Sequence, residues 1–163
     1  MARRKASRRD RRATPAPAVA PAEAAAGFRY VESSALLAAL LEQDIAARNA
    51  LSAPGRRITS ALTFAETARA LVRARVTARL TPADERAALR WLQTFKRRCD
   101  IVSVTEFVLA RAGRPFPVEP IRTLDAVHLA TAESLGEPPQ LVTFLTRDAR
   151  VSDNARALGY AVE

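Results

Sequence analysis

The strongest constraint on the fold of this chain is an alternation. Short runs of strand type, FRYV (28–31), RRITS (56–60), CDIVSV (99–104), LVTFLT (141–146) and YAV (160–162), are separated by longer segments of helical character. Antiparallel strands can be joined by two-residue turns, whereas parallel strands need a crossover of about a dozen residues or more. Strands separated by helices therefore imply an α/β fold, a small central parallel sheet in a three-layer α/β/α arrangement.

The helical segments carry their own signals. In ESSALLAALLEQD, Ser33 or Ser34 can cap a helix that turns Leu36, Leu37, Leu40 and Leu41 inward. ALTFAETARALVRARV offers Leu62, Phe64, Ala65, Leu71 and Val72 as its apolar positions. TPADERAALRWLQTFKRR opens with Thr81 as cap, Pro82 at the first helical position and Asp84 and Glu85 in the first turn. Its core side is Leu89, Trp91, Leu92 and Phe95. TEFVLARAG predicts a short helix, IRTLDAVHLATA a helix reaching about Leu135, and DARVSDNARALG a helix stopped by Gly159. SAPG, RPFPVEP and GEPPQ are the turns and loops between them.

At 163 residues the chain has room for one ordinary domain. Residues 1–27 stand apart: an arginine block followed by an Ala/Pro run that cannot bury a core, expected to be disordered. Order is expected over residues 28–163. Seven of the arm's residues are basic, against Asp10 and Glu23; the remainder holds 19 basic and 15 acidic residues, and the whole chain is +9. Positive charge on both parts favours a polyanionic partner. The arm alone also reads as a solvated tail. Its paired arginines are not expected to begin an export signal, because prolines break the run behind them. Cys99, the single cysteine, cannot form an internal disulfide and suits a reducing cytoplasm. No apolar run approaches the roughly 20 residues of a membrane span, so a cytoplasmic protein without membrane contact is expected.

Four acids occupy similar places in this scheme. Glu32 follows the first strand, Glu66 sits nearly two turns into the helix after RRITS, Asp125 lies near the start of its helix, and Asp148 follows LVTFLT. Ligands of open parallel sheets bind in the crevice beyond the carboxyl ends of the strands. Four carboxylates meeting there cannot all stay ionised in a dry site; protons or a hard cation must relieve them. An all-oxygen site suits Mg²⁺ or Mn²⁺, and with such an ion, metal-assisted phosphodiester hydrolysis follows. Taken singly, each acid reads equally as a helix-start or surface carboxylate, and spacing alone does not join them.

Four segments taken together, YVESSALLAALLEQD, ITSALTFAETARALVRA, IRTLDAVHLATA and FLTRDARVSDNARALGYAV, resemble the PIN domain. More closely they resemble the VapC-type toxins of bacterial toxin–antitoxin modules, in the same order over residues 28–163. The resemblance implies a small α/β fold and a Mg²⁺- or Mn²⁺-dependent endoribonuclease acting on RNA. It implies Glu32, Glu66, Asp125 and Asp148 as the metal-holding acids, with Ser34 and Thr146 organising the site. It further implies a homodimer silenced by a cognate antitoxin protein. One position departs from the family pattern, which has aspartate at the first acid where this chain has Glu32. The longer side chain leaves three outcomes open: a site restored by backbone adjustment, weak metal binding, or an inactive relative.

Several further residues invite a role. His128, the only histidine, follows Asp125 by one helical turn and reads chiefly as a packed side chain rather than a proton shuttle. Arg122 and Arg147 flank two of the acids and could touch phosphate or pair with carboxylates. Asp153 reads as exposed, Trp91 and Phe95 as core, and Cys99 as no nucleophile. Two competing functions accompany the nuclease: a nucleic-acid binder whose site Glu32 has weakened, and a nuclease of the same superfamily acting on DNA.

Overall fold

A computed structural model describes residues 27–163. Apart from Gly27, the arm predicted over 1–27 lies outside the described residues. Five strands, β1 (Phe28–Val31), β2 (Arg56–Ser60), β3 (Cys99–Val102), β4 (Val142–Leu145) and β5 (Ala161–Val162), form one sheet in the order β3-β2-β1-β4-β5. Every neighbouring pair is parallel. The helices are α1 (Ser33–Leu41), α2 (Ile45–Ser52), α3 (Ala61–Val76), α4 (Pro82–Lys96), α5 (Glu106–Ala112), α6 (Thr123–Glu133) and α7 (Ala149–Ala157). Among the described residues no helix is long and apolar enough to cross a membrane.

Register explains the layers. Tyr30 of β1 stands opposite Phe144 of β4, and Val31 opposite Leu145. Successive side chains of a strand point to opposite faces, so Tyr30 and Phe144 enter one core while Val31 and Leu145 enter the other. The first core is closed by Val108 of α5, Leu129 of α6 and Val151 of α7. The second is closed by Leu36 of α1, Leu51 of α2, Leu71 of α3 and Leu92 of α4. Three layers result, as the alternation predicts. Tyr30 and Phe144 are both fully buried, their rings 4.6 Å apart, and such a side chain contributes about 1.5–3 kcal/mol by leaving water.

The chain winds from β1 outward to β2 and β3, then crosses back to place β4 and β5 on the other side of β1. The winding direction therefore reverses between β1 and β4. At such a point the flanking connections part and leave a crevice at the carboxyl ends of the strands. Glu32 and Thr146 are the residues immediately after β1 and β4.

Local signals set most helix starts. Thr81 and Asp84 form the reciprocal cap predicted for α4. At α1 the cap is Glu32 rather than either serine: its carboxylate accepts the Ser34 N–H at 3.0 Å. Helix α2 is an addition to the sequence reading. Asp44 caps it, accepting the Ala47 N–H at 3.0 Å, but its apolar signal is weak because Ile45 is 71 % exposed and only Ala47 and Leu51 are buried. Two core assignments are corrected. Trp91 is 39 % exposed and stacks on Phe95, which takes the core position. Ala65 is exposed, and Thr63 and Thr67 are buried on the inner side of α3 instead. Their burial is tolerable because Thr59 Oγ1 donates to Thr63 Oγ1 and Thr67 Oγ1 to the Thr63 carbonyl, each at 2.8 Å.

Candidate metal centre

Glu32 leaves β1 at the switch point and is only 4 % exposed. A carboxylate so placed is costly without hydrogen-bond partners. Its Oε2 accepts from the Ser34 amide at 3.0 Å, from Thr146 Oγ1 at 2.9 Å and from the Ser34 hydroxyl; its Oε1 accepts from the Ser33 hydroxyl at 2.5 Å. With their hydrogens given to Glu32, Ser34 Oγ and Thr146 Oγ1 become acceptors themselves. Ser34 Oγ takes the Arg147 N–H at 2.7 Å and the Asp148 N–H at 3.1 Å, and Thr146 Oγ1 also takes the Asp148 N–H at 3.1 Å. Two hydroxyls thus tie the end of β1 to the start of α7. Asp148 in turn caps α7, its Oδ1 accepting from Arg150 N at 2.8 Å and Val151 N at 3.3 Å.

Glu66 reaches the same place from α3. Its Oε2 lies 2.7 Å from Nε2 of the buried His128, and that nitrogen is 3.9 Å from Glu32 Oε1. Glu32, Glu66 and His128 each offer a ligand atom within 4.8 Å of the others. Asp125 lies in the first turn of α6, three residues before His128 and so on a neighbouring part of the same helix face. Its Oδ2 is buried and has no hydrogen-bond partner. Lost solvation, chiefly, and then the charges of Asp148 and Glu32 push its carboxyl above the ordinary carboxylate range, against the smaller pull of Arg122 and His128. Asp125, Asp148 and Glu32 therefore lie within reach of one another's charge, and Glu32 in turn lies beside Glu66. The tight grouping holds two of them with His128; Asp125 and Asp148 stand outside it.

The donor chemistry fits a hard cation. In Glu66 and Asp148 one oxygen is held by a protein donor and the other is not among the acceptors. Glu32 Oε1 has a single donor, and Asp125 Oδ2 has none. Spare carboxylate oxygens on Glu32 and Glu66, grouped with His128, and on Asp125 and Asp148 outside that group are hard donors of the kind Mg²⁺ or Mn²⁺ takes.

Residues 29–157 match the family model for the PIN domain. The chain belongs to the PIN-domain family. PIN nucleases work with a divalent metal, in keeping with the donor set found here. Ribonuclease VapC46 of Mycobacterium tuberculosis is 40 % identical over 135 residues, 82 % of this PIN domain's chain and 94 % of the relative. Ribonuclease VapC35 of the same species is 35 % identical over 107 residues, 66 % of this chain and 71 % of the relative. Among solved structures, M. tuberculosis VapC20, described as a sarcin–ricin loop cleaving toxin, superposes with a TM-score of 0.59 at 20 % identity, over 82 % of this chain and 96 % of its own. VapBC2 of Rickettsia felis, solved with a DNA fragment of its promoter, gives a TM-score of 0.58 at 13 % identity, covering 83 % and 97 %. Both likenesses are of fold.

The PIN domain's remaining predicted residues fall in different settings. Arg147 is taken up by Asp44 at 2.9 Å, the carboxylate-pairing alternative, and that pairing holds the Asp44 carboxyl below its usual range. Arg122 is exposed at the N-terminus of α6, and its charge reaches Asp125. Asp153 is exposed, 3.8 Å from Arg156. Burial pushes the Cys99 thiol up to about 11, so it is no thiolate nucleophile. His128 is packed, as read from the sequence, yet it also touches the acid cluster. Ser33, read only as a possible helix cap, instead donates its hydroxyl to Glu32. The signal for His128 was its one-turn spacing from Asp125; Ser33 carried none beyond its place in the cap.

Proposed function

We propose that this PIN domain is a divalent-metal-dependent endoribonuclease, hydrolysing RNA phosphodiester bonds as the toxin of a toxin–antitoxin pair. What supports the reading is the grouping of Glu32 and Glu66 with His128, together with an Asp125 that feels the charges of Glu32 and Asp148 and has a buried oxygen that no protein donor satisfies. Kinship with proteins named as VapC ribonucleases supports RNA as the substrate class. In this reading the four acids hold Mg²⁺ or Mn²⁺. Such an ion supplies Lewis acidity toward a phosphoryl oxygen and a water of lowered pKa.

The chain's own groups do the rest. Ser34 and Thr146 fix the Glu32 carboxylate and the start of α7, so the acids from β1 and β4 keep their spacing. One of the four acids helps to orient or deprotonate the attacking water. Arg122 lies exposed near Asp125, free to meet a phosphate, and the basic arm adds sequence-independent attraction for the polyanion. Glu32 is held by four hydrogen bonds rather than displaced, which favours a working site over a spoiled one. A cognate antitoxin is supported by the VapBC assemblies among the fold relatives, and a homodimer and a cytoplasmic location complete the proposal.

The test is cleavage of structured RNA and of DNA by the purified full chain with Mg²⁺ or Mn²⁺. EDTA-sensitive RNA cleavage, lost in Asp125→Asn and in Asp148→Asn, is expected. Activity that persists in both variants, or that is confined to DNA, would refute it.

A further inference from the structure

We propose that Tyr30 and His128 are a positioning pair: Tyr30 fixes the tautomer of His128, and His128 fixes Glu66 through its Nε2–H while itself staying off the metal. The inference rests on the reading of Glu66 as a metal-holding acid.

The geometry is a chain of three groups running out from the sheet core. The Tyr30 hydroxyl lies 3.2 Å from His128 Nδ1, and His128 Nε2 lies 2.7 Å from Glu66 Oε2. Tyr30 is fully buried and His128 is 1 % exposed. The Tyr30 ring is packed against Phe144 and meets the imidazole edge-on, centroids 6.3 Å apart at 75°. Both ends of the chain are therefore anchored, Tyr30 in β1 and His128 in α6. Neither residue has a part in the metal-holding set of four acids, yet burying two polar side chains without a purpose would be costly.

The proton positions follow from the partners. An ionised carboxylate only accepts, so the nitrogen facing Glu66 must carry hydrogen. In a neutral imidazole the other nitrogen is then an acceptor, and the hydrogen it accepts comes from the phenol. A phenol keeps its hydrogen at neutral pH, its ordinary pKa being about 10, so Tyr30 can donate across the 3.2 Å to Nδ1. Ligation by Nε2 would need the opposite tautomer. It would give up the 2.7 Å bond to Glu66 and turn an Nδ1–H toward a phenol that has its own hydrogen to place.

The consequence falls on Glu66. It is the one acid of the four borne on a long side chain in mid-helix, on the layer of α3, whereas His128 belongs to the opposite layer. With Oε2 taken by His128, Oε1 is the oxygen left for the cation. A donor that fixes a ligand's orientation typically changes metal affinity by about 10- to 100-fold when lost. The pair thus explains why a histidine stands within ligand distance of two acids in a site whose other donors are all oxygens.

His128 is the only histidine of the chain, so an untagged, ¹⁵N-labelled sample gives one imidazole signal without assignment. Long-range ¹H–¹⁵N spectra are recorded in EDTA and again with saturating Mg²⁺. The Nε2–H tautomer in both states is expected. An Nδ1–H tautomer, or loss of the Nε2 hydrogen on adding Mg²⁺, overturns the proposal without recourse to any variant. Calorimetric Mn²⁺ titration supplies the second readout. His128→Leu is expected to weaken binding by about 10- to 100-fold, while His128→Gln, whose amide can donate near the Nε2 position, stays within about threefold of wild type. Equal affinity in His128→Leu and wild type defeats the positioning role. Glu66→Gln separates the two readings: if it binds Mn²⁺ like wild type, Glu66 is no ligand and the functional reading is at fault; if it loses binding while His128→Leu keeps it, only the positioning pair is wrong.

Discussion

Asp125→Asn is predicted to stabilise the metal-free protein while removing its activity. In EDTA, once the wild-type carboxylate ionises, its Oδ2 is buried without a partner and Asp148 and Glu32 repel it. An unsatisfied buried acceptor costs about 1–3 kcal/mol. Asp125 is only partly buried, so solvent screening brings the expected gain to the low end, about 1 kcal/mol. For a domain of this size that is roughly 4 °C in Tm. Because the folded carboxyl has a raised pKa, its ionisation works against folding. That penalty is absent below the unfolded value of about 4 and grows as pH rises through the folded one. The advantage of the asparagine variant therefore shrinks toward pH 4 and is full only above the raised folded value. Saturating Mn²⁺ reverses the order, since the ion stabilises only the protein that binds it. Differential scanning calorimetry of both proteins, with EDTA and with Mn²⁺, reads all of this. A variant Tm at or below wild type in EDTA at pH 7 would show that Asp125 is not held against a penalty.

Other substitutions give independent checks. Glu32→Asp draws the carboxylate back by about one bond, 1.5 Å, away from four donors that fit the longer side chain. A loss of at least about tenfold in kcat/KM on RNA is expected, and an increase would mean the glutamate is a damaged aspartate site. Thr146→Val removes a donor to Glu32 and an acceptor for the Asp148 N–H. It is expected to cost about 1–3 kcal/mol in chemical denaturation and to lower Mn²⁺ affinity; unchanged affinity would exclude Thr146 from organising the site. Thr81→Ala removes the α4 cap far from the crevice, costing about 1 kcal/mol with RNA cleavage unchanged, so altered cleavage would expose a hidden coupling. Alkylation of Cys99 is expected to quicken steadily between pH 8 and 10, as its pKa of about 11 requires; a plateau below pH 9 would contradict the buried thiol.

Much of this fold is legible in the sequence because the central strands β1 and β4 are buried on both faces and most helix starts are chemically marked. FRYV and RRITS coincide with β1 and β2, LVTFLT contains β4 with one residue to spare at each end, and Thr81 and Pro82 fix the start of α4 to the residue. What escaped were features set by tertiary partners. Helix α2 turns Ile45 to solvent, so its pattern lacks a clear inner stripe. Trp91 yields the core to Phe95, a choice between neighbours that helical spacing cannot make. The site shows the same division. The four acids could be noticed by their places after strands and in helices but were joined only by the resemblance, and nothing local foretells the hydrogen bonds from Ser33, Ser34 and Thr146 that hold Glu32 as a helix cap. Nor does the sequence reveal that a tyrosine from β1 and a glutamate from α3 meet opposite nitrogens of one imidazole. Those contacts join residues 62 to 98 positions apart and exist only once the sheet has assembled.

The account depends on Glu32, Glu66, Asp125 and Asp148 serving a single divalent ion at the end of β1 and β4. Anomalous scattering from crystals grown with Mn²⁺ tests this most directly. The account predicts one strong peak in the crevice, with oxygens from these four side chains around it. A peak elsewhere on the molecule, or none in the crevice at saturating Mn²⁺, would contradict it.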